Sequence, residues 1–143
     1  MAILISNVAF GYTTYIARYD MVPGLIYPPR TISIYLQRNR SVLLVSKDQA
    51  GHVVRTANLA NLSSRAFASA SRRVAAVNQS SHLVDRTPHE PICMDHPQFY
   101  VSVVIGDHEM QTYKDESCHK FSLEDQSADP INQLMLGLGE LKD

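Results

Sequence analysis

The chain has 143 residues, 45% of them apolar, a length that suits one core-bearing domain and falls short of two. Thirteen Lys and Arg against fourteen Asp and Glu leave a formal charge of −1, which excludes a uniformly basic nucleic-acid binder and an acidic disordered tail. Six Gly and seven Pro exclude collagen-like and low-complexity chains, and no apolar run approaches the roughly 18 residues that span a bilayer.

The small total is a cancellation. Residues 1–86 carry Arg18, Arg30, Arg38, Arg40, Lys47, Arg55, Arg65, Arg72, Arg73 and Arg86 against Asp20, Asp48 and Asp85, a net of +7. Residues 87–143 set eleven acids against Lys114, Lys120 and Lys142, a net of −8.

Met1-Ala-Ile-Leu-Ile-Ser-Asn7 has no basic start and only a short apolar run, so it does not read as an intact secretory signal. From Val8 through Phe10, Tyr12 and Thr14 to Ile16 a period of two predicts a strand. Met21 to Arg30, with Pro23-Gly24 and Pro28-Pro29, reads as a loop. Thr31–Gln37 and Ser41–Ser46 alternate around Arg38-Asn39-Arg40, where Asn39 suits a left-handed turn position. That hairpin sets Leu36 against Val42 and Ile34 against Leu44, apolar on apolar. After a turn at Asp48–Gly51, His52–Ala57 completes a three-stranded meander.

Helical spacing begins at Asn61, with Phe67, Ala70, Val74 and Val77 on one stripe, Ser63 as N-cap and Leu62 placed to staple onto Phe67. The helix is expected to end near residues 78–81. Pro88, Pro91 and Pro97 make residues 85–97 an irregular connection. Gln98–Ile105 and His108–Lys114 flank Gly106-Asp107 as a type II′ hairpin, which pairs Ile105 with His108, Val103 with Met110 and Val101 with Thr112. Asp129-Pro130 supplies an N-cap and a first-turn proline. Ile131, Leu134, Met135, Leu138 and Leu141 form the apolar stripe that follows, in a helix weakened by Gly137 and Gly139. The predicted class is α+β: residues 1–143 as a single domain, with one antiparallel sheet (N-terminal strand, meander, C-terminal hairpin) and two helices packed on it.

Extending the hairpin register sets residue 93 across from 120 and residue 95 across from 118. Cys93 and Cys118 then share a face, two positions out of step. A disulfide closing the open end of the hairpin is the favoured reading, and two separate thiols the alternative. A bonded pair implies a periplasmic or secreted protein, free thiols a cytoplasmic one. His89, Cys93, His96, Cys118 and His119 also suggest zinc ligands, but their spacing fits no common structural zinc pattern. The expectation is therefore no metal and no cofactor. Motifs for P-loops, dinucleotide binding, zincins and nucleophile elbows are absent, and a Cys118–His–Asp set is supported only by plentiful candidates.

Tyr15, Arg18, Tyr19, Tyr27, Arg30, Tyr35, Arg38 and Arg40 interleave aromatics with arginine, as a single-strand nucleic-acid binder does, although Tyr15 and Tyr35 also suit packing positions. Asp107, Glu109, Asp115 and Glu116 read as an acidic rim on the hairpin.

Cys93-Met-Asp95-His-Pro97, then the hairpin Phe99 to Lys114, then Cys118 resembles a class of small bacterial α+β domains of unknown function. The resemblance covers residues 31–141 as an order of elements and residues 93–118 as a motif. It implies export and carries over no catalytic residue.

These features lead to the expectation of a non-enzymatic binding protein of bacterial or phage type, an inhibitor or immunity protein capping a macromolecular partner such as a toxin or effector enzyme. Asp107, Glu109, Asp115 and Glu116 are the first candidates to meet a basic partner; Arg38 and Arg40 are the second, for an acidic one. The alternatives are a nucleic-acid module using the Arg/Tyr-rich half and a small cysteine- or zinc-dependent enzyme.

Overall fold

A computed structural model describes residues 14–24 and 30–142. Among the described residues eight strands build one antiparallel sheet: β1 (Tyr15–Val22), β2 (Thr31–Gln37), β3 (Ser41–Lys47), β4 (Val53–Asn61), β5 (Leu83–Asp85), β6 (Gln98–Ile105), β7 (His108–Glu116) and β8 (His119–Leu123). Helix α1 (Ser64–Ala75) follows β4, and α2 (Asp129–Gly139) follows β8 and runs into a 3-10 turn, Glu140–Lys142. The strand order is β4-β3-β2-β1-β6-β7-β8-β5. The class is α+β as expected, but the sheet is wider by β5 and β8.

The first strand runs further along the chain than the period of two suggested. Val8, Phe10 and Tyr12 lie outside the described residues, as do the N-terminal heptapeptide, Tyr27 and Pro28-Pro29. β1 instead runs through Met21, which the loop reading had absorbed, and stops before Pro23. Ala17, Tyr19 and Met21 alternate inward. Arg18 and Asp20 hid that alternation because charges are not expected on a central strand, yet they neutralise one another there, Arg18 Nε lying 2.9 Å from Asp20 Oδ2.

The β2–β3 hairpin has the predicted register, Leu36 on Val42 and Ile34 on Leu44. Its left-handed residue is Arg40, with φ +75°, rather than Asn39. Asn39 acts instead through its side chain, accepting from Ser41 N at 2.9 Å. Ser63 caps α1 by accepting from Ala66 N at 3.1 Å, as predicted. The helix ends at Ala75, short of the expected residues 78–81, and Val77 reaches the core from beyond its end. At α2 the cap is Ala128, so Asp129 is already helical and offers its charge to the positive helix terminus. Leu141 leaves the stripe and is exposed.

Helices α1 and α2 cover the same face of the sheet. Ala70 and Val74 of α1 and Ile131, Met135 and Leu138 of α2 cluster with Ala17, Tyr19, Ile34, Leu36, Val42, Leu44, Val101 and Val103. Gly139 packs so closely on Tyr19 that a Cβ there would lie 2.6 Å from its ring, which accounts for one of the two helix-weakening glycines. On the opposite face Tyr15, Tyr35, Val45 and Val104 form a second buried cluster, with Tyr15 and Tyr35 edge to face at 4.9 Å.

Candidate functional site

The sheet order keeps the two charge stretches apart. β4, β3, β2 and β1 make one half and β6, β7 and β8 the other; only the short β5 crosses to the far edge. One Arg–carboxylate pair joins the stretches among the described residues: Arg18 Nη2 to Glu109 Oε1 at 2.8 Å. Arg30, Arg38, Lys47, Arg55, Arg65, Arg72 and Arg73 make no ion pair with a described carboxylate. Most of the asymmetry therefore persists as a polarity across the sheet.

Gly106 is the left-handed residue of the β6–β7 turn, as a type II′ turn requires, and Ile105–His108 and Val103–Met110 pair as expected. Beyond them a bulge intervenes. Ser102 pairs with Gln111 but Val101 pairs with Tyr113, so Thr112 is an extra residue. The predicted Val101–Thr112 pairing fails because Thr112 has a buried polar partner on α2. Its Oγ1 donates to Asn132 Oδ1 at 2.7 Å, and Asn132 Nδ2 donates to Thr112 O at 3.1 Å.

The bulge inverts the parity of the rest of β7. Strict alternation from Met110 would turn Lys114 and Glu116 toward the helices. Instead Tyr113 and Asp115 face them, and Glu116 accepts from Tyr100 OH on the opposite face at 2.6 Å. Burial and the Glu116 carboxylate both push the Tyr100 hydroxyl pKa upward.

Asp107, Glu109, Asp115 and Glu116 are consequently not one rim. Asp107 is exposed at the turn. Glu109 is largely enclosed, held by Arg18 and accepting from Tyr15 OH at 2.5 Å. Burial first, then this bond, raises the Tyr15 hydroxyl pKa. Asp115 and Glu116 stand at the other end of β7, roughly 25 Å away at the usual rise per residue. Asp115 is 7% exposed and its Oδ1 has no hydrogen-bond partner among the described residues. It lines a cavity of about 310 Å³ together with Tyr19, Phe99, Tyr113, Leu136, Gly139, Glu140 and Lys142.

The disulfide lies at that same end. Cys93 and Cys118 are bonded, with Cα atoms 5.4 Å apart. Cys118 sits in the tight β7–β8 turn, where Ser117 and Cys118 both have positive φ, 52° and 69°. Such turns favour Asn-Gly; here Cys93 holds the strained pair through its sulfur and through its N–H, which donates to Ser117 O at 3.1 Å. The loop before β6 also presses on the end of β1, since a Cβ on Gly24 would meet Asp95 O at 2.2 Å. Fixed at both points, the loop presents Ile92 and Met94 to solvent, 76% and 83% exposed.

The remaining candidates separate from this end. Arg38 lines an open cavity of about 580 Å³ with Ile16, Ser71, Val74 and Ile105 near the Gly106 turn. Arg40 donates through Nη1 to Ser64 Oγ. Tyr15, Tyr19 and Tyr35 are buried in the two clusters and offer no face on which a base could stack. His119 Nδ1 is 2.8 Å from Asp85 Oδ2, and with both cysteine sulfurs bonded to each other neither is a thiolate for zinc or for nucleophilic attack. No His, Cys, Asp and Glu group able to hold a metal ion occurs among the described residues. No helix among them is long and apolar enough to cross a membrane.

Sequence reasoning named Asp115 without seeing its environment. It missed Tyr113, Phe99 and Tyr19 as its neighbours, because the bulge that joins them has no local signature beyond a threonine in a strand. No family model matches the chain, and no curated protein matches it.

Proposed function

We propose that this chain is a non-enzymatic binding protein of the inhibitor or immunity type, capping a macromolecular partner at the disulfide-bearing end of the sheet. The observation that carries this reading is the Ile92–Met94 loop. Two large apolar side chains held out in solvent by a disulfide and a close backbone contact are a pre-organised anchor, whose ordering entropy is already lost before binding. The nearby Glu90, Asp95 and Glu116 set a negative border that suits a basic partner and steers its approach. The disulfide supports a periplasmic or secreted setting for that encounter.

The test is comparative capture. Wild type, an Ile92→Ser/Met94→Ser double variant and an Arg65→Ser/Arg72→Ser/Arg73→Ser control are used as baits in an extract of the source organism. A protein retained by wild type and control and lost from the double variant is the expected result. A partner set that is the same for all three baits overturns the reading.

A further inference from the structure

The cavity beneath Asp115 is chemically unbalanced in a way that specifies its occupant. A carboxylate oxygen removed from water is costly unless hydrogen-bonded, yet Asp115 Oδ1 has no partner among the described residues. The walls beside it include the half-buried rings of Phe99 and Tyr113. Aromatic faces attract cations, and an enclosed site strengthens that attraction. The C-terminal end of α2 closes the cavity at Gly139 and Glu140, adding the negative end of a helix dipole and a second carboxylate. Lys142 also borders the space, and its Nζ donates to Gly139 O at 3.4 Å.

From this arrangement we infer that the cavity receives one lysine or arginine side chain of the partner, with the ammonium or guanidinium on Asp115 and the aliphatic stem between the rings. The Asp115 carboxylate accepts from the N–H groups of a lysine or arginine, which a quaternary ammonium lacks. A volume of about 310 Å³ is at the small end for ligand sites and suits a single side chain better than a larger molecule. The mouth lies at the same end of the sheet as Ile92 and Met94, because Asp115 is three residues before Cys118. The inference rests on the reading of that end as a protein interface, and supplies its specificity: apolar anchors on the loop, one cation in the pocket.

The experiment uses the whole disulfide-bonded chain and four probes: N-acetyl-lysine methylamide, N-acetyl-arginine methylamide, N-acetyl-norleucine methylamide and tetramethylammonium. Binding is read by NMR from the amides of Phe99, Tyr113 and Asp115. The lysine or arginine probe is expected to shift these signals saturably, at least roughly tenfold more tightly than norleucine or tetramethylammonium, as loss of a charge-assisted hydrogen bond implies. Asp115→Asn is expected to weaken that binding by a similar factor. Lys142→Met leaves Asp115 in place and removes the competing cation, so it is expected to bind the probe more tightly and keeps the test decisive if Asp115→Asn fails to fold. Equal shifts from norleucine, or no shift from either cationic probe, overturn the inference. Cationic-probe binding with no effect of the Ile92 and Met94 changes on capture supports the pocket and overturns the interface reading. Capture that depends on Ile92 and Met94, with no probe binding, overturns the pocket alone.

Discussion

Thr112 on β7 and Asn132 on α2 exchange two hydrogen bonds, hydroxyl to amide oxygen at 2.7 Å and amide nitrogen to backbone carbonyl at 3.1 Å, with both residues buried. This reciprocal pair fixes the bulge to the helix and so determines which way Asp115 points. Removing one member leaves a buried polar group unsatisfied, so Asn132→Ala and Thr112→Val are each expected to cost about 2 kcal/mol in urea denaturation. Thr112→Val with Asn132→Ala removes both side chains together and is expected to cost less than the sum of the single changes. Additive losses would count against the pair acting as a unit.

The disulfide closes a sequence separation of 25 residues. Chain-entropy arguments put its contribution at about 3 kcal/mol, so reduction, or Cys93→Ser with Cys118→Ser, is expected to lower the denaturation midpoint accordingly. Part of the loss comes from the positive-φ turn. In the Cys93→Ser background, Ser117→Asn with Cys118→Gly is expected to recover some stability, because that dipeptide suits the turn without a cross-link.

Gly24→Ala tests how the Ile92–Met94 loop is seated. The added methyl collides with the Asp95 backbone oxygen, which cannot rotate away as a side chain would. A loss of about 1–3 kcal/mol is expected from overpacking, with the amide signals of residues 92–95 shifting most. An unperturbed loop would show that Gly24 does not seat it.

Asp125 carries a pH dependence. It accepts from Ser127 N at 3.0 Å and from Asn78 Nδ2 at 2.8 Å, which hold its pKa down at about 2. A carboxyl whose folded pKa lies below its unfolded one contributes stability above the unfolded value, near 4, and loses it as pH falls through the folded value. Asp125→Ala is therefore expected to destabilise at neutral pH, with the difference from wild type shrinking between about pH 4 and pH 2. A difference independent of pH across that range would show that the charge is not involved.

Glu109 and Tyr15 give a spectroscopic check on the opposite face. With the carboxylate as acceptor and burial around the ring, Tyr15 ionises above the ordinary tyrosine range. Glu109→Gln removes the negative charge and is expected to lower the Tyr15 titration midpoint, read by ultraviolet absorbance. An unmoved midpoint would assign the shift to burial alone.

The local pattern of the chain determined a good deal: the α+β class, the β2–β3 register, the Ser63 cap, the Gly106 turn and the closeness of the two cysteines. The register, cap and turn depend on neighbours within a few residues, where periodicity, cap chemistry and turn geometry act directly, and the hairpin register carries the cysteines toward one another. The opening charge arithmetic also stands, +7 against −8, and the strand order preserves it as a polarity across the sheet. What the tertiary structure alone decided is where the acidic residues go. Asp107, Glu109, Asp115 and Glu116 look alike in sequence, yet one is exposed, two are engaged with Arg18 or Tyr100 and one lines a cavity. For Asp115 and Glu116 the physical reason is a single extra residue, Thr112, held by a partner twenty positions later on α2; for Glu109 it is Arg18 and Tyr15 on β1. A long-range hydrogen bond set the parity of the strand, and no local signal could have announced it.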